Sequence, residues 1–292
     1  TNDWGTAPGC AFFADGVHVI MLPGPPSECG PMFRFRAVPY LRALSEGVIA
    51  SHTIKLFGIG ESTMEAQLRE QMNAMHNPTL APYAKEGECE LRVTAKAPTD
   101  QQAQDLLRPT VEQVKALFGS KVYGVDVPSL EYVVLEGLKA RGMTLGTAES
   151  CTGGLIAKRL TDIPGASQVF LGGIVSYTND VKARVLGIPQ HILDQFGAVS
   201  PETAIAMAQG ARNVLGCDIA LSATGVAGPD KDDWDHEVGT MFVAIATPEG
   251  SHVRPLKLGN RPVRERLRIQ TASHAFDLAR RYLSGLDYED SL

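Results

Sequence analysis

The sequence predicts a multidomain α/β protein: a partial α/β segment in front, a small α+β domain in the middle and a C-terminal α/β sandwich. Three observations carry this expectation. The 292 residues suffice for two to three small domains. The order of elements changes from β-α-β-β-α before Pro128 to a longer alternation of helices and strands after it. Hydrophobic residues make up 44% of the chain against 21% charged, so each domain has apolar side chains for a core. The boundaries implied are 1–45, 46–126 and 127–292.

In the front segment, Val17–Leu22 (VHVIML) reads as one short buried strand between Gly/Pro-rich loops. A helix is expected from about Ser27 to Leu44, with Met32, Phe35 and Leu41 among its apolar positions. One strand and one helix make too small a core, so this segment packs on the rest or is half of a larger unit. The middle segment reads as strand HTIKLFGIG, helix ESTMEAQLREQMNAM, strands TLAPY and ECELRVTAKA, and helix TDQQAQDLLRPTVEQVKALFG. Leu91, Val93 and Ala95 alternate as in a half-exposed antiparallel strand. Two helices are expected on one face of the sheet, the second kinked or broken at Pro109, and Pro128 marks a linker.

The C-terminal segment opens with a helix over Ser129–Arg141, then strand MTLGTAE, a helix from about Gly153 to Thr161 and strand QVFLGGIVSY. Short helices follow around Val181–Val185 and Pro189–Phe196. Ser200-Pro201, a capping hydroxyl before an N1 proline, starts a helix that runs to about Leu215. Strands DIALSAT, TMFVAIAT and SHVRPLKL precede a last helix striped by Ile269, Ala272, Phe276, Ala279 and Leu283.

Charge and composition exclude several classes. A net charge of −6 argues against a sequence-wide phosphate-binding surface, so nucleic acid is not an expected partner. No apolar run approaches the length of a membrane span, and TNDWGTAPG lacks the features of a secretion signal. The five cysteines are scattered and never form C-x-x-C, which points to a reducing compartment, and hence the cytoplasm. The seven histidines show no paired metal spacing, so no metal site is expected.

Four stretches carry candidate chemistry. In Glu149-Ser150-Cys151-Thr152-Gly153-Gly154 a hydroxyl and a thiol stand together between a strand and a helix N-terminus, where free N–H groups can hold an anion. The plain alternative is that Ser150 or Thr152 caps the helix and Glu149 faces solvent. In Tyr177-Thr178-Asn179-Asp180-Val181-Lys182, Asn179 or Asp180 can cap a helix whose first turn carries Lys182. The dipole there favours the neutral amine, suited to taking a serine's proton; the alternative is a solvated lysine. Thr224-Gly225-Val226-Ala227-Gly228-Pro229 follows a strand, where open α/β sheets bind ligands, although turn chemistry gives the same letters. Arg261, Arg264, Arg266 and Arg268 crowd the start of the last helix, where cations are unfavourable unless an anion or an acidic neighbour compensates. Arg264 and Arg268 share a face and can clamp a phosphate. Asp230–Glu237 reads as a surface loop whose Trp234 can cap a ligand, and Gly58-x-Gly60 lacks the third glycine of a dinucleotide fingerprint.

Taken in order, AESCTGG, GGIVSYTNDVKARVLGI, GAVSPETA and ATGVAGP…VGT resemble the C-terminal domain of the CinA (competence/damage-inducible protein A) family over about residues 128–284. The resemblance implies nicotinamide mononucleotide as the small-molecule partner. Its carboxamide would be hydrolysed to nicotinic acid mononucleotide and ammonia, in NAD salvage and without a cofactor. It implies Ser150 as nucleophile, Tyr177 and Lys182 in proton transfer, and Thr152, Gly153, Thr224, Gly225, Gly228 and Arg264 in substrate binding. A homodimer is the expected assembly. The chain departs from the family pattern after Pro229, where DKDDWDHEVGT replaces the usual Gly-Gly pair and Lys-Pro. NDWGTAPG and LPGPPSE resemble the second half of the family's molybdopterin-binding-like front domain, linked to ADP-ribose pyrophosphatase activity, and that site is expected to be incomplete. The middle segment resembles the family's KH-like domain without a basic G-x-x-G loop. An RNA-binding adaptor is therefore the third reading, and the net charge speaks against it.

Overall fold

The computed structural model describes residues 1–45, 47–85, 87–259 and 263–289, and the described strands form three separate sheets. In front, β1 (Cys10–Ala14) and β2 (Val17–Met21) pair antiparallel. Asp15 and Gly16 join them with φ of 50° and 80°, the backbone that Asp-Gly hairpin turns adopt. The helical stretch that follows is α1 (Pro26–Met32), one π-helical turn (Phe33–Ala37) and α2 (Val38–Leu44). Pro39 has no N–H to give the Phe35 carbonyl, and the wider turn accommodates that loss. The expected burial of this segment is corrected. Val17, Met21, Phe35 and Leu41 are exposed, because a two-stranded ribbon with one helical stretch leaves faces that no second layer covers.

The middle unit contains β3 (Val48–Leu56), α3 (Glu61–Ala74), β4 (Thr79–Lys85), β5 (Glu88–Ala97), α4 (Asp100–Phe118) and β6 (Val122–Val125). Its sheet is antiparallel throughout in the order β4-β5-β3-β6. Leu91, Val93 and Ala95 of β5 share one core with Met64 and Leu68 of α3 and with Leu107, Val111 and Val114 of α4. Both helices therefore cover the same face. The sequence reading missed β1 and also β6, a four-residue strand on the end of β3. Pro109, where a kink or break is expected, lies inside α4, which continues through it without a break. Pro109 is exposed, and so is Asp105, whose carbonyl loses its N–H partner and can be hydrated.

The C-terminal unit comprises α5 (Leu130–Arg141), β7 (Leu145–Glu149), α6 (Leu155–Thr161), β8 (Phe170–Val175), α7 (Asn179–Leu186), α8 (Gln190–Phe196), α9 (Pro201–Leu215), β9 (Ile219–Gly225), β10 (Thr240–Thr247), β11 (Gly250–Lys257) and α10 (Arg264–Ser284). Sheet order is β11-β10-β9-β7-β8; β7 runs parallel to β8 and β9, while β10 and β11 are antiparallel. Ser129 and Ser200 cap α5 and α9, accepting the N–H groups of Tyr132 and Thr203. Ile219, Leu221 and Ala223 of β9 pack with α5, α6 and α10, whereas Ala148 and Ala220 pack with α7, α8 and α9. The centre of the sheet is thus covered on both faces, and β7, β9 and most of β10 are buried along their length.

Buried Asp277 fastens α10. It accepts Arg254 Nη1 (3.0 Å), Arg280 Nη2 (2.6 Å) and Arg281 Nε (2.9 Å). Burial acts to raise its pKa, but the Arg280 and Arg254 guanidiniums outweigh it and hold the carboxyl low. The middle and C-terminal units also share contacts. Phe57 and Tyr123 belong to the C-terminal core, and Arg280 Nη2 donates to the Ser120 carbonyl at 2.9 Å.

Candidate active site

Because β7, β8 and β9 are parallel neighbours, their carboxyl ends meet at one edge of the sheet. Ser150 directly follows β7, Ser176 and Tyr177 follow β8, and Thr224 and Gly225 end β9. This is the edge at which open α/β sheets bind ligands. Two backbone bonds close it: Ser150 N–H donates to the Ala223 carbonyl and Ser176 N–H to the Glu149 carbonyl, each at 2.9 Å.

Lys182 is drawn into this edge. Thr178, rather than Asn179 or Asp180, caps α7 through its hydroxyl, and Lys182 follows in the first turns with only 1% of its surface exposed. Its Nζ donates to the Ser176 carbonyl (2.9 Å), the Ser150 Oγ (3.2 Å) and the Tyr177 carbonyl (3.5 Å). No described carboxylate lies within ion-pairing distance of it. Burial pushes the amine down from its ordinary 10.5 to about 8, since a low-dielectric niche disfavours the ammonium.

The neighbouring thiol behaves in the opposite way. Cys151 is 6% exposed, and burial pushes its pKa up to about 12, so the thiolate is scarce at neutral pH. The residues alone left serine and cysteine open, and this environment favours Ser150.

The turn after Ser150 is held by Glu149, which the plain alternative puts in solvent. Glu149 is 1% exposed and accepts the N–H groups of Gly154 (2.9 Å), Ile156 (3.0 Å) and Ala157 (2.9 Å). It, and neither Ser150 nor Thr152, caps α6. A short side chain next to the helix is the usual cap; here a glutamate several residues upstream reaches over a turn with positive φ at Gly153 and Gly154.

The other predicted residues are placed as follows. Thr152 is buried, its carbonyl accepts Arg268 Nη2 at 2.7 Å, and its Oγ1 has no described partner. Arg264 donates to the Gly228 carbonyl (2.5 Å) and the Tyr177 hydroxyl (3.1 Å). Tyr177 is 57% exposed, so its carbonyl touches the lysine while its hydroxyl meets the arginine at the rim. Thr224 Oγ1 donates to the Ala198 carbonyl at 2.6 Å and is buried. A Cβ at Gly225 would lie 2.2 Å from Met241 Sδ, and one at Gly228 would lie 2.8 Å from Val238 Cγ1, so this loop requires glycine for packing. Trp234 lies against Gly197. Arg266 points elsewhere, into a cleft of about 460 Å³ with Phe57, Gly58, Gly60, Gln270 and His274. Arg261 lies outside the described residues. Among the described residues no group of three or more His, Cys, Asp or Glu is arranged to hold a metal ion, and no helix is long and apolar enough to cross a membrane.

Residues 128–283 match the model of the CinA C-terminal domain, and residues 51–124 match that of the damage-inducible protein CinA KH domain. The chain belongs to the CinA family. The CinA-like protein of Dictyoglomus turgidum is 42% identical over 285 residues, covering 98% of this chain and 69% of its own length. A putative competence-damage inducible protein of Caldanaerobacter subterraneus subsp. tengcongensis is 44% identical over 285 residues, covering 97% and 68%. Among solved structures, a CinA superfamily protein from Klebsiella pneumoniae 700603 superposes with a TM-score of 0.51 at 28% identity, covering 53% of this chain and 96% of that one. The competence damage-inducible protein A of Klebsiella pneumoniae subsp. pneumoniae MGH 78578 gives 0.52 at 26%, covering 54% and 97%. These superpositions cover a stretch about as long as the CinA C-terminal match.

The buried lysine predicts a pH signature in stability. The unfolded chain binds the Lys182 proton up to about pH 10.5, the folded chain only up to about 8. Between these values the unfolded state holds more protons, so stability should rise with pH, by about 3 kcal/mol in total from this group. Urea unfolding at pH 7.5 to 10.5 should show that rise in the native sequence relative to Lys182→Met. Parallel curves would contradict the burial cost.

Proposed function

We propose that the C-terminal CinA domain is a serine–lysine amidohydrolase, and that its substrate is nicotinamide mononucleotide, as the family resemblance implies. The observation that carries the reading is the 3.2 Å contact between a buried Lys182 Nζ and the Ser150 Oγ. A neutral amine with a pKa near 8 is matched to taking and returning a proton near neutral pH.

The steps follow from the placement of the groups. Ser150 Oγ attacks the carboxamide carbon while its proton passes to Lys182. The tetrahedral intermediate collapses, the C–N bond breaks, and Lys182 gives its proton to the leaving nitrogen, which departs as ammonia. Water then attacks the acyl ester, gives its proton to Lys182, and the carboxylate leaves as Ser150 regains its hydrogen. The N–H groups of Cys151 and Thr152, which have no backbone acceptor among the described residues and lie beside the Cys151 sulfur, are the donors we assign to the developing oxyanion. Arg264, at the rim with Tyr177, is the group to meet the phosphate.

Ammonia release from nicotinamide mononucleotide tests the reading. Ser150→Ala should lose at least about 10³-fold in kcat, while Cys151→Ala keeps most of it. The rate should rise from pH 6 to 9 with an apparent pKa near 8, because only the free amine accepts the proton. Turnover retained in Ser150→Ala, or a flat profile, would refute the assignment.

Arg264 supplies a second test. Loss of a charge-assisted contact costs roughly 1.5–3 kcal/mol, or about 10–150-fold in binding. Arg264→Ala should raise KM for the mononucleotide by that factor and leave the phosphate-free riboside nearly unchanged. An equal loss on both substrates would remove the phosphate role.

A further inference from the structure

We propose that Glu149 is a positioning residue: its buried carboxylate sets the Ser150–Gly154 turn, and with it the angle at which Ser150 meets Lys182. The inference rests on the reading of Ser150 as nucleophile and concerns the residue that makes the serine competent.

Glu149 joins three elements. It ends β7, its carbonyl accepts the Ser176 N–H at 2.9 Å, and its side chain bridges to the start of α6. Ser176 also supplies the carbonyl closest to Lys182 Nζ. One residue therefore bonds both to the chain that carries the nucleophile and to the residue that seats the base. Ser150 sits between these anchors, with its N–H on the Ala223 carbonyl and its carbonyl taking the Gly153 N–H at 3.1 Å. Arg268 holds the far side of the turn through the Thr152 carbonyl.

The carboxylate also changes what α6 can do. An ordinary serine or threonine cap satisfies one orphan N–H at a helix start. Glu149 satisfies three N–H groups from inside the protein, using both oxygens. The positive end of α6 is therefore closed to a substrate anion, and donors for the developing oxyanion are confined to the turn itself. Glutamine at 149 retains the size but keeps one acceptor oxygen, and its NH₂ group would face backbone donors. The turn would then open, and a displacement of about 1 Å at a reacting atom costs on the order of 10²-fold in rate.

The test uses two readouts on the whole chain. A fluorophosphonate forms an Oγ–P bond with a competent serine and releases fluoride, so its labelling rate at Ser150, located by peptide mass spectrometry, reports serine geometry independently of any natural substrate. Ammonia release gives kcat and KM. Glu149→Gln is expected to slow labelling and kcat by about 10–100-fold, with KM within about threefold of the native value. The control is Asp218→Ala, which removes the acceptor of the Thr144 N–H and hydroxyl at the opposite end of the same strands; it should weaken the domain and leave both rates near native. If Glu149→Gln fails to fold, Glu149→Asp, too short to span the turn, takes its place. Native rates in a folded Glu149 variant, or equal loss in the control, would overturn the positioning role alone. Absence of both labelling and deamidation in the native chain would overturn the nucleophile reading, and this inference with it.

Discussion

The carboxyl edge of the C-terminal sheet encloses an amine, Lys182, without a counter-charge. Lys182 reaches two backbone carbonyls and one hydroxyl. These acceptors solvate it without stabilising its charge as a carboxylate would. Its place near the start of α7 adds to the same preference, because a helix N-terminus repels a cation. The arrangement costs stability at neutral pH, the usual sign of a site shaped for chemistry rather than for folding. It exists because three parallel strands end together. β8 brings the carbonyls, β7 brings the serine, and β9 closes the floor through Ala223.

The last helix makes that edge usable. Asp277 gathers Arg254, Arg280 and Arg281 at the far half of α10 and fixes it to β11. The near end then presents Arg264 and Arg268 to the site at one side and Arg266 to the cleft beside the middle unit at the other. Four cations near one helix start read from the sequence as a single cluster. The described ones divide by helical phase, since positions 264 and 268 share a face that 266 does not. Their compensation is also different from an acidic partner: Arg264 and Arg268 both rest on backbone carbonyls of the site's own turns.

What was legible in the sequence was whatever depended on local chemistry. The alternation of Leu91, Val93 and Ala95, the hydroxyl cap Ser200, and the place of AESCTGG between a strand and a helix follow from neighbours a few residues away. What was missed depended on residues far apart or on short signals. The Asp15-Gly16 turn, which defines the first hairpin, gives a weak signal because its flanking runs are brief. β6 exists only through pairing with β3. Glu149 looked solvent-facing because a capping carboxylate five residues upstream has no local signature. Lys182 read most simply as a surface residue, and only the sheet topology shows why it is buried. Thr224 and the loop glycines gave letters shared by ligand sites and tight packing, and their contacts show packing.

Burial should bring Lys182, which faces Ser150, to titrate near pH 8 rather than 10.5, so that a usable fraction is free amine near neutral pH. A ¹³Cε-lysine NMR titration of the native protein, with Lys182 assigned by its absence in Lys182→Met, tests it without reference to any substrate. One lysine resonance should titrate near pH 8, shifted upward in pKa by a change that opens the niche to water. A Lys182 resonance that titrates near 10.5 with the surface lysines would contradict it.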